Sequence, residues 1–121
     1  MIIVSWNIRG MNSPIKAKEV KNFLGDNNAS VIGVLETKIK EAKAAKIQNI
    51  FGNKWKWCAN YTHHDKGRVW VGWRHDRCKL EVVDTHKQFV ETCITPINSS
   101  TSFKVVSVSY THLTLPTKRI V

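Results

Sequence analysis

The stretches IIVSWNI at positions 2–8 and SVIGVLE at positions 30–36 decide the fold of this chain. Both have the pattern of short apolar strands, and the amphipathic segment between them has the pattern of a helix. A right-handed strand-helix-strand crossover has parallel strands. Asn7 and Glu36 end the two strands, so their side chains are predicted to emerge side by side at the edge where such sheets bind ligands. An amide oxygen beside a carboxylate can form half of a site for a hard cation such as Mg²⁺.

Both residues also have an ordinary structural explanation. Asn7 precedes Arg9 and Gly10, where Asn is common because it tolerates turn geometry. Glu36 can be a carboxylate near the start of the next helix, where the helix dipole favours it. Spacing alone therefore leaves the metal-ligand role of each residue open.

The periodicity predicts two helices and then a series of strands. Ser13 and Pro14 favour a helix start, and the apolar stripe of that helix is predicted to contain Ile15, Val20, Phe23 and Leu24. A second helix is predicted at 41–51, ended by Gly52. Beyond it the period approaches two, which predicts a mostly antiparallel meander with strands at 55–61, 68–74, 79–84, 88–95 and 103–107.

One later segment, KGRVWVGWR at 66–74, alternates as a strand with two different faces. The face predicted to enter the core contains Val69, Val71 and Trp73. The other contains Arg68, Trp70, Gly72 and Arg74. That second face could follow a nucleic-acid backbone with Trp70 stacked on a base, although packing of Trp70 under a helix is the favoured alternative. Arg9 is a further candidate for a phosphate contact.

Two motifs in this sequence resemble a known family. SWNIRGMNSP at 5–14 and VIGVLETKI at 31–39 resemble the start of the endonuclease/exonuclease/phosphatase superfamily, and most closely the apurinic-endonuclease-like domains of plant LINE-type retrotransposons. The similarity continues through 60–73 and ends near Val106. The resemblance implies an α/β fold, the N-terminal half of a layered α/β sandwich with mixed sheets and outer helices. It also implies that Asn7 and Glu36 are catalytic residues that bind Mg²⁺ or Mn²⁺.

The activity that the resemblance implies is metal-dependent phosphodiester hydrolysis, which in retrotransposons nicks target DNA. The parent polyprotein is then expected to carry a reverse transcriptase. His63, His64 and His112 do not match the His and Asp motifs of the family's C-terminal half, so this chain is expected to be an inactive fragment. Two alternatives stay open: a non-catalytic basic nucleic-acid-binding module, and a phosphoesterase acting on lipid or small-molecule phosphates. The oligomeric state cannot be predicted.

The last residues do not follow the family pattern. The segment VSYTHLTLPT at 108–117 resembles one reading frame of a sequencing-library adapter, and the four residues after it would be translated index sequence. We therefore predict a partial domain at 1–107 and a non-native tail at 108–121. The alternative is a genuine strand and Thr-rich tail. The genomic locus is expected to continue after Ser107 with a V-Y-G-x-N-like strand.

The composition bounds the partners and the compartment. The formal net charge is +10, of which Lys118 and Arg119 supply two, leaving +8 for residues 1–107. This favours a polyanion such as DNA, although a basic face without a partner is the alternative. No apolar run of about 18 residues and no leader pattern occurs, which predicts a nuclear or cytoplasmic protein with no membrane span and no secretion.

The cysteines suggest reduced thiols, because three widely spaced residues do not form a disulfide framework. A zinc site built from Cys58, Cys78 and the residues at 63–65 is not predicted, because the tight ligand pairs typical of zinc are absent.

Overall fold

The computed structural model describes residues 1–11, 13–62 and 69–108, together with the backbone of residues 117–120. The first half contains β1 (Ile3–Asn7), α1 (Pro14–Asp26), β2 (Val31–Leu35), α2 (Glu41–Gln48) and a 3-10 turn (Asn49–Phe51). The remaining elements are strands: β3 (Trp55–Ala59), β4 (Val69–Arg74), β5 (Cys78–His86), β6 (Phe89–Pro96), β7 (Phe103–Val108) and β8 (Thr117–Ile120). The predicted helices and strands are confirmed, with bounds that differ by a few residues.

The strands form two sheets. The first has the order β3-β4-β2-β1-β8, and the second is the antiparallel meander β5-β6-β7. Within the first sheet β1 and β2 are parallel, with Asn7 opposite Leu35, whereas the other pairs are antiparallel. The predicted parallel crossover and the mixed α/β fold class are both confirmed.

The first sheet is covered on both faces. Val4, Trp6 and Trp70 belong to a core between this sheet and the helices. On the opposite face Val69 and Val71 belong to a second core, which includes Val90 and Ile94 of the second sheet; both lie in β6. The layers are therefore helices, first sheet and second sheet. Burial on both faces explains why β2 and β4 have nearly continuous apolar sequences.

Helix α1 begins as predicted, but its buried stripe differs from the prediction. Ser13 Oγ accepts a hydrogen bond from the Ile15 amide at 3.2 Å, which is the expected cap. The buried residues are Ala17, Val20 and Leu24. Ile15 is 80% exposed, so its placement in the stripe is wrong. At about 100° per residue, Ile15 lies about 180° around the helix from Leu24.

Strand β8 lies in the segment predicted to be a non-native tail. It pairs antiparallel with β1, and Arg119 lies opposite Ser5. An edge strand presents unpaired backbone groups, and an extended segment of almost any sequence can satisfy them. The origin of residues 108–121 therefore stays a prediction.

The cysteines are free thiols, and burial raises the pKa of Cys58 to about 12. None of the helices in the described part of the chain is long and apolar enough to cross a membrane.

Gly72, in β4, permits the close approach of an aromatic ring. A Cβ at this position would lie 2.6 Å from Cζ3 of Trp57, which pairs with Gly72 across the strands. We expect Gly72→Ala to lower the free energy of unfolding by about 1–3 kcal/mol, the usual cost of overpacking a core. Denaturant titration measures this change.

Gly25→Ala is the matched control for Gly72→Ala. A Cβ at Gly25 meets nothing within 4 Å, and Gly25 lies in α1. Alanine is the better helix former by up to about 1 kcal/mol, so this variant should be as stable as the wild type or slightly more stable. Equal destabilisation by the two substitutions would contradict the role given to the Trp57 ring.

Candidate active site

The carboxyl ends of β1 and β2 meet at one edge of the first sheet, here called the carboxyl edge (residues 7–11 and 36–40). Asn7 ends β1, and Glu36 directly follows Leu35, the partner of Asn7. The segments that follow β1 and β2 are still joined by backbone hydrogen bonds. Ile8 N donates to Leu35 O at 3.1 Å, and Met11 N donates to Thr37 O at 2.9 Å. Asn7 and Glu36 therefore lie at the same edge, as the parallel crossover predicts.

The backbone of the carboxyl edge is strained. Five non-glycine residues in the described ranges have a positive φ, and two of these are Asn28 and Asn98, a residue type that tolerates this conformation. The other three all lie at the carboxyl edge: Arg9 at 54°, Glu36 at 58° and Lys38 at 58°. The left-handed conformation costs an L-residue about 1–2 kcal/mol. Such strain persists where the surrounding structure enforces it, and it clusters at functional sites.

Glu36 is a buried carboxylate with unused hydrogen-bonding capacity. The residue is 8% exposed, and its Oε2 accepts no hydrogen bond within the described ranges. Burial of a carboxylate is costly unless it is paired or binds a metal. A carboxylate next to the amide-bearing end of β1 is an oxygen donor set that fits Mg²⁺. Across the described residues no group of three or more His, Cys, Asp and Glu side chains gathers.

Arg9 faces Glu36 across the carboxyl edge. Its Nε lies 3.7 Å from Oε2 of Glu36, an ion-pair distance that is too long for a hydrogen bond. The Arg9 side chain is 28% exposed. Arg9 can therefore balance the Glu36 charge and still reach a ligand, and its predicted phosphate contact stays a prediction.

Trp70 lies in the core and is not available to a nucleic acid. It is 0% exposed and packs edge-to-face on Trp57, with ring centroids 5.7 Å apart. Its Nε1 donates to Tyr61 Oη at 2.9 Å, and that hydroxyl donates to Ile39 O at 2.8 Å. Stacking on a base needs an exposed ring face. Trp70 therefore packs in the core, which is the favoured alternative. The prediction that Trp70 binds nucleic acid is wrong.

Arg74 lies at the opposite end of the sheet, here called the amino edge. Because β4 is antiparallel to β2, Val69 lies opposite Leu35 whereas Trp73 lies opposite Val31. Arg74 thus does not join Asn7 and Glu36. Two further sets of residues singled out in the sequence, Arg68 and the segment His63-His64-Asp65, lie outside the described residues.

Asn60 is a buried polar residue near the carboxyl edge that no sequence motif indicates. It is 0% exposed, and its Nδ2 donates to His86 O at 2.9 Å and to Lys87 O at 3.0 Å. Its Oδ1 accepts a hydrogen bond from Val69 N at 3.1 Å. Asn60 therefore holds the turn between β5 and β6 next to the start of β4, at the carboxyl edge. The only signal in the sequence is an Asn that directly follows a strand.

Tyr61 holds a second segment of the carboxyl edge. Its hydroxyl bonds to Ile39 O, and the neighbours of Ile39 are the exposed Lys38 and Lys40. Burial raises the pKa of Tyr61, so the hydroxyl remains a protonated donor. Asn60 and Tyr61 together hold Lys38, Lys40 and the exposed Lys87 around the carboxyl edge. The edge is therefore basic around one buried carboxylate.

We expect Asn60→Ala to lower the free energy of unfolding by about 2–3 kcal/mol, because the substitution leaves the buried Val69 amide without its acceptor and two part-buried carbonyls without their donor. Asn53→Ala is the control, since Asn53 is exposed, and it should change stability by no more than about 0.5 kcal/mol. Denaturant titration compares the two. A cost for Asn60→Ala as small as that of the control would mean that the turn does not depend on Asn60.

No protein-family model and no curated protein sequence matches the chain. Solved structures do match. The endonuclease domain of TRAS1, a telomere-specific non-LTR retrotransposon, superposes with a TM-score of 0.65 at 11% identity, over 90% of this chain and 44% of that chain. The chain shares the layered α/β sandwich fold of this endonuclease domain.

Two other structures with this fold support the same conclusion. An endonuclease/exonuclease/phosphatase family protein from Bacteroides thetaiotaomicron gives a TM-score of 0.59 at 9% identity, over 88% of this chain and 49% of that chain. The catalytic domain of human Nocturnin gives a TM-score of 0.56 at 9% identity, over 88% of this chain and 48% of that chain. The chain thus spans less than half the length of each structure. At these identities the likeness establishes the fold alone, and the activity is left to be proposed.

Proposed function

We propose that this chain is the N-terminal part of a Mg²⁺-dependent DNA endonuclease that nicks the target DNA of a retrotransposon. The observation that carries this proposal is Glu36, a buried carboxylate in a left-handed backbone conformation with an oxygen that accepts no hydrogen bond in the described residues. The fold likeness to the TRAS1 endonuclease domain and the formal net charge of +10 support it.

The roles of the residues follow from their places at the carboxyl edge. Asn7 and Glu36 would hold Mg²⁺ or Mn²⁺, which supplies charge neutralisation at the phosphate when bound. Arg9, whose Nε lies 3.7 Å from Glu36 Oε2, would contact a phosphate oxygen. Lys38 and Lys87 would attract the phosphates of the DNA backbone by an electrostatic interaction that depends on salt and not on DNA sequence. The paired strands keep the carboxylate and the amide in fixed relative positions, as a catalytic site requires.

The chain alone is proposed to bind DNA without cleaving it. It spans 44% of the TRAS1 structure, and the groups that orient and activate the attacking water would come from the remainder of the domain. The longer protein would resemble the plant LINE-type polyproteins that carry a reverse transcriptase, and it would act in the nucleus or the cytoplasm.

A non-catalytic nucleic-acid-binding module is the second candidate function. The positive charge favours it, because basic residues surround the carboxyl edge whether or not a metal binds. A phosphoesterase acting on lipid or small-molecule phosphates remains the third possibility within the superfamily fold.

Plasmid nicking separates these possibilities. The domain extended past residue 107 with the genomic sequence is compared with residues 1–121, both in Mg²⁺ and in EDTA. We expect Mg²⁺-dependent nicking by the extended domain alone, and weak binding without cleavage by residues 1–121. An extended domain that binds DNA but cleaves it with neither Mg²⁺ nor Mn²⁺ would favour the binding module.

A further inference from the structure

A second basic site lies at the amino edge of the first sheet. A cavity of about 300 Å³, here called the amino-edge cavity, is lined by four basic side chains, Lys21, Lys54, Arg74 and Arg77. These come from α1, the turn before β3, β4 and the turn after β4. Trp55 and Phe51 contribute apolar wall. Among the described residues that line it, none is acidic. Its volume is at the lower end of the range of ligand sites.

One acid outside the lining balances one of the four cations. Asp76 accepts two hydrogen bonds from Arg74, from Nε at 2.9 Å and from Nη2 at 2.7 Å. These bonds, with a smaller contribution from Lys54, lower the pKa of Asp76 to about 2. Asp76 is therefore ionised at neutral pH and pairs with Arg74. Lys21, Lys54 and Arg77 keep three positive charges around the cavity.

The segments that form the cavity are held together by hydrogen bonds to the backbone. Arg77 Nη1 donates to Asn28 O at 3.2 Å and to Ala29 O at 3.4 Å, so the turn after β4 is fixed to the segment between α1 and β2. His75 Nε2 lies 2.9 Å from Asn53 O, which connects the same turn to the segment that carries Lys54. A guanidinium has five N–H donors, so Arg77 retains donors for an anion.

Positive side chains that line one cavity repel each other. The low-dielectric protein around the cavity also focuses their electrostatic field, which strengthens their attraction for an anion. We propose that the amino-edge cavity binds a phosphate group of a nucleic-acid strand, as a contact separate from the carboxyl edge. The six residues of β4 separate the two edges, a span of about 20 Å at about 3.3 Å per residue. Two contacts at that distance would lengthen the footprint by about six phosphates at about 3.4 Å per phosphate along one strand.

The test measures how salt weakens DNA binding by residues 1–121. Fluorescence anisotropy with a labelled 20-bp duplex is recorded in EDTA between about 50 and about 200 mM KCl. The double variant Lys21→Gln/Lys54→Gln should reduce the slope of log K against log salt by about 1, since the loss of one phosphate contact lowers it by about 0.9. The control Lys43→Gln/Lys79→Gln removes the same charge from exposed lysines outside the cavity and should leave the slope nearly unchanged.

Equal slopes for the two double variants would overturn the proposal, because net charge alone would then explain the binding. Thermal unfolding of both variants checks that the chain still folds. As a second measurement on the wild-type chain, titration with inorganic phosphate should shift the Trp55 indole N–H signal in a ¹⁵N spectrum, and the cavity variant should lose that shift. A wild-type signal that does not move would also overturn the proposal. EDTA excludes divalent metal, so this outcome is independent of the Asn7 and Glu36 site.

Discussion

We expect Glu36→Ala to reduce Mg²⁺-dependent nicking by the extended domain by about 10³-fold or more. A metal at a phosphoryl group supplies several kcal/mol of transition-state stabilisation, and each 1.36 kcal/mol corresponds to about a tenfold change in rate. DNA affinity should remain the same or rise, because the substitution removes a negative charge and no phosphate contact. Single-turnover nicking and anisotropy, measured on the same preparation, separate the two quantities.

Two matched variants identify what Glu36 contributes. Glu36→Gln keeps the size of the side chain and the left-handed backbone but removes the charge, so it should lose nicking as Glu36→Ala does. Glu81→Gln makes the same charge change at an exposed position of β5 and should nick at the wild-type rate. Wild-type nicking by Glu36→Gln would exclude a metal-binding carboxylate. Glu36-dependent nicking by residues 1–121 alone would show that catalysis needs fewer groups than the family pattern implies.

Trp70→Ala should lower the free energy of unfolding by about 3–5 kcal/mol, the cost of removing a large aromatic side chain from a core. The ring is fully buried and packs against Trp57. Domains of this size have a total stability of about 5–15 kcal/mol, so the loss would be visible as a large shift of the denaturation midpoint. Urea titration followed by far-UV circular dichroism measures it.

Trp70→Phe separates packing from hydrogen bonding. Phenylalanine keeps an aromatic ring against Trp57 but loses the Nε1 donor to Tyr61, so the cost should be smaller than that of Trp70→Ala, with about 1 kcal/mol from the hydrogen bond. If Trp70 instead stacked on DNA, Trp70→Ala would weaken binding and leave stability almost unchanged.

The sequence predicts which residues share a face of an element, but it does not predict which layer covers that face. In β4 the alternation of Val69 and Val71 with Trp70 is confirmed. The sequence alone leaves the environment of Trp70 open, because the cover on its face comes from helices and from Trp57, which lie elsewhere in the chain. Ile15 illustrates the same limit, since an apolar residue beside a stripe is not always part of it.

The candidate site is predictable where a topological rule applies. Asn7 and Glu36 lie at one edge because the strands of a crossover are parallel. Arg74 lies at the other edge because β4 is antiparallel to β2, and no residue pattern encodes that direction. Asn60 escapes prediction for a different reason. Its acceptors are backbone carbonyls 26 and 27 positions away, and a carbonyl has no signature in a sequence.

The pairing of β8 with β1 has a consequence for folding kinetics. Arg119 lies opposite Ser5, so this pair of strands closes almost the whole chain into a loop. Closing a loop of that length has a large cost in conformational entropy. The crossover and the β5-β6-β7 meander are local by comparison and should form earlier. The outer side of β1 is then exposed late in folding, with unpaired donors and acceptors that a second copy of the chain can match. Refolding at high concentration therefore favours strand exchange between copies at β1.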